Sequence, residues 1–290
     1  MDQTLKLPAS SSLDLKLYRT KTGRIKIRRM DKARISMRIL LLTLIAITVF
    51  GLATMDFGTL SFQEAISAFL DNLTRIFLQP RLSHRITFES LLGDVFITLG
   101  LTVVATILGA VMSFFFALLA ARNLSPKAVA QTVRGIMSVI RAIPAILWVL
   151  VFALAIGLGA EAAIVGLVFQ GIAFLTKAYS ETIEEMDDGV IEGLKATGAN
   201  WWQIIFQGVL PSCLTAILSW TFIRLESNFG HAIAVGAAAG AGGIGFQLVL
   251  SGSMQMDMHE VGVIIYLLIV VSVVFELISM KLRRKLLVKQ

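Results

Sequence analysis

Four polar side chains, Arg224, Ser227, Asn228 and His231, recur at i, i+3, i+4 and i+7, the spacing that lays them along one stripe of a helix. A guanidinium in such a stripe offers a planar fork of donors shaped for the oxygens of an anion. Glu226 lies about 200° around the same helix from Arg224, so the two cannot easily pair with each other. Two roles stay open for these charges: a structural ion pair with another helix or a second copy, and a pathway that passes an anion. A second constellation, Gly240-Ala241-Gly242-Gly243-Ile244-Gly245, satisfies the G-x-G-x-x-G dinucleotide pattern. That chemistry needs a preceding strand and a βαβ unit. Here the run follows an alanine-rich apolar stretch, so Gly240, Gly242, Gly243 and Gly245 are better placed for close helix approach or an irregular turn near a pathway.

Enzymatic chemistry finds no starting point. The single cysteine, Cys213, cannot form an internal bridge, and the three histidines are scattered, so no cluster has metal-ligand spacing. Glu184, Glu185, Asp187 and Asp188 read as a solvated, partner-facing surface rather than a metal site. There is no nucleophile elbow and no G-x-x-x-x-G-K-[ST] phosphate loop, so no residue is assigned a catalytic role and the chain cannot hydrolyse ATP by that route.

The elements that must position these groups are set by composition. Hydrophobic residues make up 56% of the 290 and charged ones 16%, against roughly 45–50% and 25% in a soluble domain. Stretches free of Asp, Glu, Lys and Arg run over Ile39–Met55, Val95–Ala121, Ala142–Ala160, Ala162–Thr176, Ser227–Met256 and Val261–Phe275, with Pro211–Ile223 leading into the fifth. In a bilayer a segment must satisfy its own backbone hydrogen bonds, which takes a helix of roughly 20 residues. The expected fold is therefore all-α, a polytopic membrane protein of about six transmembrane helices. The first stretch follows a basic region 38 residues long with no clean small-residue cleavage site, so it reads as a retained anchor rather than a signal peptide.

Orientation follows from the basic residues. Residues 1–38, 122–141, 177–210 and the tail after Glu276 hold 22 of the 26 Lys and Arg, while Arg75, Arg81 and Arg85 fall on the opposite side. The positive-inside rule then puts both termini and the two loops in the cytoplasm. The net charge of +7 is thus an orientation signal with some attraction to anionic lipid, not a nucleic-acid footprint. The expected organisation is a basic cytoplasmic segment at 1–37, an anchor at 38–56, an external segment at 57–94, a core at 95–280 and a basic tail at 281–290. The first 30 residues are expected to be poorly ordered or to lie on the membrane surface. In the external segment Leu60, Glu64, Ala65, Ser67, Ala68, Asp71 and Asn72 have helical spacing, with Phe62, Ile66, Phe69, Leu70 and Leu73 as an apolar face: a short amphipathic helix at the outer interface.

One polar interruption stands out in the apolar C-terminal half, Ser180–Pro211. Tyr179–Met186 and Val190–Thr197 can each be helical, with Asp187-Asp188-Gly189 as a turn and Asp188 as the cap of the second segment. Gly198 follows as a left-handed stop. Asn200 can cap a third segment, Trp201–Val209, and Pro211 then opens the next membrane helix near its first turn, where a missing N–H is harmless.

This loop resembles the coupling loop of ATP-binding-cassette importer permeases, whose signature is Glu-Ala-Ala, three residues, Gly, nine residues, Ile, any residue, Leu-Pro. Glu192, Gly198, Leu210 and Pro211 stand at those spacings; Gly193-Leu194 replaces the two alanines and Gly208 stands where isoleucine is usual. Further along, Arg224, Glu226 and Asn228 followed by Gly240–Phe246 resemble the Arg-x-Glu-x-Asn run and GAGGIGF turn of the phosphonate/phosphite uptake branch, the resemblance covering roughly residues 90–280.

The resemblance implies the type I importer permease fold with a cytoplasmic coupling helix. It assigns ATPase coupling to Glu181, Glu184, Glu185, Asp187, Asp188, Gly189, Glu192, Lys195, Ala196, Gly198, Ala199, Leu210 and Pro211, and the translocation pathway to Arg224, Glu226, Ser227, Asn228 and His231. It implies a homodimer in the bacterial inner membrane, two copies of a cytoplasmic subunit that binds the ATP, and a periplasmic or lipid-anchored phosphonate-binding protein, with no cofactor held by this chain. Methionine-type permeases carry a similar glycine turn, so another small solute remains open. A secondary transporter would need mid-membrane carboxylates, for which only Glu226 is at hand, and often an inverted repeat, which is not found. A membrane enzyme lacks a constellation.

Overall fold

The computed structural model describes residues 32–54 and 61–287. The first 30 residues and Leu60, for which expectations were formed, lie outside them. Among the described residues the secondary structure is entirely helical. The chain divides into two units, Met1–Ala65 and Ile66–Gln290. In the first, α1 (Lys32–Thr54) carries leucine, isoleucine, valine and phenylalanine on every side, all exposed, the mark of a helix whose solvent is hydrocarbon.

The helix α2 (Phe62–Leu78) opens with a reciprocal cap: Ser61 N–H donates to the Glu64 carboxylate at 3.0 Å and Glu64 N–H to the Ser61 hydroxyl at 3.3 Å. These bonds hold the Glu64 carboxyl below its usual range. Ile66, Phe69 and Leu70 are exposed apolar residues on it, as the spacing predicts.

The bundle of the second unit is built from α3 (Phe88–Ala120), α4 (Lys127–Ala142), α5 (Ala145–Ile156), α6 (Ala160–Glu184), α7 (Asp188–Ala196), α8 (Trp201–Ile204), α9 (Leu210–Ala239), α10 (Gly243–Val249) and α11 (Met258–Leu287). At its centre α6 packs against α3, α5, α9 and α4. Small residues make those approaches close: Ala105, Ala117, Ala162, Ala163, Ala173 and Ala232 are all buried. The outward faces of α3 and α11 carry exposed Phe96, Ile107, Phe115, Ile269, Val270 and Leu277, as lipid-facing surfaces do.

Among the described residues five helices are long and apolar enough to cross a membrane, or six if α4 and α5 are counted together as one bent span. The expected third span, Ala142–Ala160, holds only the 12-residue α5, and α4 fills most of the connection expected at 122–141. Ile143 precedes Pro144 and is driven into the extended region at φ −93° and ψ 126°, because the proline ring disfavours helix in the residue before it. The pair bends by 90°, and the Trp148 indole N–H ties the corner by donating to Ile140 O at 3.0 Å.

The fifth span also departs from expectation. Pro211 is the second residue of α9, at its first turn as the sequence suggests, but no loop precedes it: helical structure runs continuously from Trp201 to Ala239. The chain crosses the proline through a π-helical turn, Ile205–Val209, where Leu210 N–H reaches back five residues to Ile205 O. One wider turn accommodates the residue that cannot donate its own N–H.

Candidate functional site

The polar loop folds as three capped pieces. Asp187, rather than Asp188, caps α7: its backbone is extended at φ −60° and ψ 118°, and its carboxylate accepts from Gly189 N–H at 3.0 Å. Asp188 is already the first helical residue, one position late for the role the sequence suggested. Gly198 has φ +81°, the left-handed stop expected after α7. Asn200 caps α8 in a full box, accepting from Gln203 N–H at 2.9 Å while its own N–H donates to the Gln203 side chain at 2.7 Å.

This arrangement presents one face of α7 and buries the other. Ile191 points inward with Ile183, Ile204, Ile205 and Val209, while Asp188, Gly189, Glu192, Lys195, Ala196 and Gly198 are exposed, and Ala199 is half-buried. Leu210 is half-buried and Pro211 exposed. Beside them Trp202 and Phe206 stack in the open, ring centroids 6.1 Å apart, both more than half exposed. A short rigid helix with a polar face and exposed rings beside it has the build of a docking lever.

Of the acidic residues expected on that face, Glu181, Glu184 and Glu185 stand at the end of α6, and the first two are engaged by basic groups. Glu181 lies on α6 and pairs with Lys177 at 3.5 Å. Glu184 is no solvated surface group: its carboxylate takes the Arg122 backbone N–H at 2.6 Å and the Arg134 guanidinium at 2.5 Å, while Arg134 Nε donates to Ala120 O at 2.8 Å. One carboxylate thus fastens the ends of α3 and α6 to the middle of α4 immediately before the loop. Glu184→Ala is expected to lower the unfolding temperature in detergent, by an amount equivalent to about 1–3 kcal/mol. That is below the roughly 3–5 kcal/mol of a fully buried broken pair, because the two side chains keep 27% and 23% of their surface exposed.

The polar stripe on α9 divides. Arg224 and Asn228 are buried, Ser227 is exposed, and Glu226 and His231 are half-buried. Arg224 lies across Gly171 of α6, donates to the Gln170 side chain and sits 5.4 Å from the centroid of Phe174. Among the described residues no carboxylate pairs with it, and its Nε has no hydrogen-bond partner. Asn228 donates to the Thr106 hydroxyl of α3 at 2.9 Å. An ion pair with another helix, one of the two roles left open, is not formed among the described residues, and the guanidinium is held by neutral groups.

At the far end of α9, Gly240 closes the helix at φ +62°, and Gly242 and Gly243 follow at +75°. A Cβ on Gly243 or Gly245 would strike Thr98 of α3 or the backbone of Ile233, so the run is both a turn and a close approach. The Thr98 hydroxyl accepts from Ile244 N–H at 3.1 Å. No βαβ unit surrounds the run, which joins the end of α9 to the first turn of α10.

Three residues escaped the sequence reading. Gln170 and Thr106 sit in stretches judged by their lack of charge, where an amide or hydroxyl leaves no signal beyond its polarity. Glu260 borders the last apolar stretch, yet it is fully buried; the Ser251 hydroxyl donates to one of its oxygens and the other has no partner.

An all-helical bundle with apolar outer faces, buried small-residue contacts and a capped polar lever at one end defines a membrane-embedded transport subunit. The chain belongs to the binding-protein-dependent transport system inner membrane component family, whose model matches residues 113–286. It is 31% identical over 204 residues to the phosphate-import permease protein PhnE of Mycolicibacterium smegmatis, covering 69% of this chain and 38% of that one. It is 30% identical over 189 residues to the phosphite transport system permease protein PtxC of Stutzerimonas stutzeri, covering 64% of this chain and 68% of that one. The matched stretch thus spans well under half of the mycobacterial relative. An inward-facing structure of the MetNI methionine ABC transporter superimposes with a TM-score of 0.63 at 24% identity, over 71% of this chain and 99% of that one, so the two share a fold. The fold is that of type I importer permeases.

Proposed function

We propose that this chain is the permease subunit of an ATP-driven importer for a phosphonate or a related small phosphorus oxyanion. Two copies form the pathway, two copies of a separate ATP-binding subunit dock on the exposed face of α7, and a periplasmic or lipid-anchored binding protein delivers the solute. Both termini and the 181–211 loop face the cytoplasm in this reading, as the distribution of Lys and Arg favours. The observation that carries the proposal is the lever: α7 is capped at Asp187, stopped at Gly198 and packed by Ile191 against the π turn that begins the fifth span. Movement of a subunit bound to its open face would pass directly into α9. The relatives named for phosphate and phosphite, and an uncompensated buried arginine in α9, favour an anionic solute. A methionine permease is the second reading, favoured by the MetNI superposition.

Purification of the tagged chain from native membranes should bring down an ATPase subunit in equal amount, in a complex holding two copies of each. Uptake of radiolabelled methylphosphonate into cells should be competed by phosphite and not by methionine. Isolation as a monomer without an ATPase would overturn the subunit reading; competition by methionine alone would overturn the solute.

A further inference from the structure

A recess of about 330 Å³ opens between α4 and α6 at the end of the bundle that carries the polar loop. Arg134, Ser138 and Arg141 of α4 line it at i, i+4 and i+7, and Thr176, Lys177 and Ser180 of α6 face them, with Glu181 at the rim. Its charges are unevenly spent. Arg134 is held by Glu184, and Lys177 reaches Glu181 in a pair whose halves are both about half exposed, a contact of small worth that another anion can replace. Arg141 makes no ion pair among the described residues.

Thr176 gives the independent observation. Helical threonines in this chain return their hydroxyl to the carbonyl four residues back, as Thr102, Thr106, Thr182 and Thr221 do. Thr176 is 1% exposed and its hydroxyl has no partner at all. An unmet buried hydroxyl is unfavourable, and this one lines a recess that offers a guanidinium without an ion pair among the described residues, an ammonium and a second hydroxyl on Ser138.

We propose that this recess binds a phosphorus oxyanion, with Arg141, Lys177, Ser138 and Thr176 as its donors. A tetrahedral anion presents oxygens in several directions, which suits donors arriving from two helices better than a planar carboxylate would. Its seat adjoins Arg134 and Glu184, the contact that fastens α4 to α6 before the loop. Occupancy bridges the same two helices, so an anion accumulating on this side resists the movement of the lever and slows its own import. That last step rests on the function proposed above; the binding site does not.

The test is equilibrium dialysis of radiolabelled inorganic phosphate against the full-length complex in detergent. The expected result is saturable binding of one phosphate per permease chain, weakened by roughly tenfold or more in Arg141→Gln and in Thr176→Val, the latter keeping the side-chain shape. Absence of saturable binding, or equal binding by wild type and both recess variants, overturns the proposal. Repeating the measurement in neutral phosphatidylcholine vesicles with and without phosphatidylglycerol assigns the source: loss of phosphate binding only with the anionic lipid supports a headgroup as occupant of the same site. A complex that binds phosphate here while importing methionine would refute the proposed solute and leave the site standing.

Discussion

Arg224→Met is expected to leave the complex assembled, with an unfolding temperature equal to or above that of the wild type, while reducing uptake by roughly ten- to a hundredfold. The first half follows from burial. Arg224 is 2% exposed and is met by one neutral amide and one ring. An unpaired buried charge lowers stability, and replacing buried ions by apolar residues of similar volume is often neutral or stabilising by about 1–4 kcal/mol. Methionine has the length to fill the groove over Gly171 and lie against Phe174. The second half follows from what such a charge can do when an anion passes. A charge-assisted hydrogen bond contributes about 1.5–3 kcal/mol, hence the expected loss. Alanine is the wrong probe, because it opens a cavity in the step that removes the charge, whereas both substitutions equally take the donor from Gln170 Oε1. Uptake, complex yield and unfolding temperature should be measured together. Normal uptake by Arg224→Met would remove the arginine from the pathway, and failure to assemble would make it structural.

Local chemistry is what the sequence exposed, and long-range pairing is what it hid. Asn200 and Gly198 were readable because a cap and a left-handed stop depend on neighbours within a few positions. The cap of α7 was misplaced by one residue because two adjacent aspartates carry the same side chain, and only the extended backbone of Asp187 selects between them. Pro211 marks the first turn of α9 as its letter suggests, but nothing local shows that a π turn rather than a loop leads into it. The spacing of Arg224 and Asn228 placed them on one helix face, but their partners Gln170 and Thr106 are 54 and 122 residues away. Periodicity fixes which way a face looks and says nothing of what meets it. Glu184 was misread for the same reason: a glutamate among acidic neighbours resembles a solvated surface until Arg134 arrives from 50 residues away.

The two departures from the coupling-loop signature are expected to behave as one change, so that Gly208→Ile disables coupling and Leu194→Ala in the same chain restores it. The signature has alanine at the position of Leu194 and isoleucine at that of Gly208. In the fold these positions touch: a Cβ built on Gly208 would lie 2.7 Å from Leu194 Cδ1 and 3.3 Å from Val190 Cγ1. The large side chain has moved from the span to the lever, and the contact between them is filled from the other side. Isoleucine at 208 opposite leucine at 194 overfills it, at about 1–3 kcal/mol, and lifts α7 off the π turn that it drives in the proposed function. Alanine at 194 alone leaves a void, with a smaller loss than in a closed core because Leu194 is half-buried. Together the substitutions nearly conserve volume, so the double variant should recover most of the stability and the transport-linked ATP hydrolysis that either single variant loses. A coupling energy of roughly 0.5–3 kcal/mol in the double-mutant cycle is the expected reading. Additive losses would mean that the lever does not bear on the span at this contact, and the path from α7 into α9 would have to run through Ile191 and its neighbours instead.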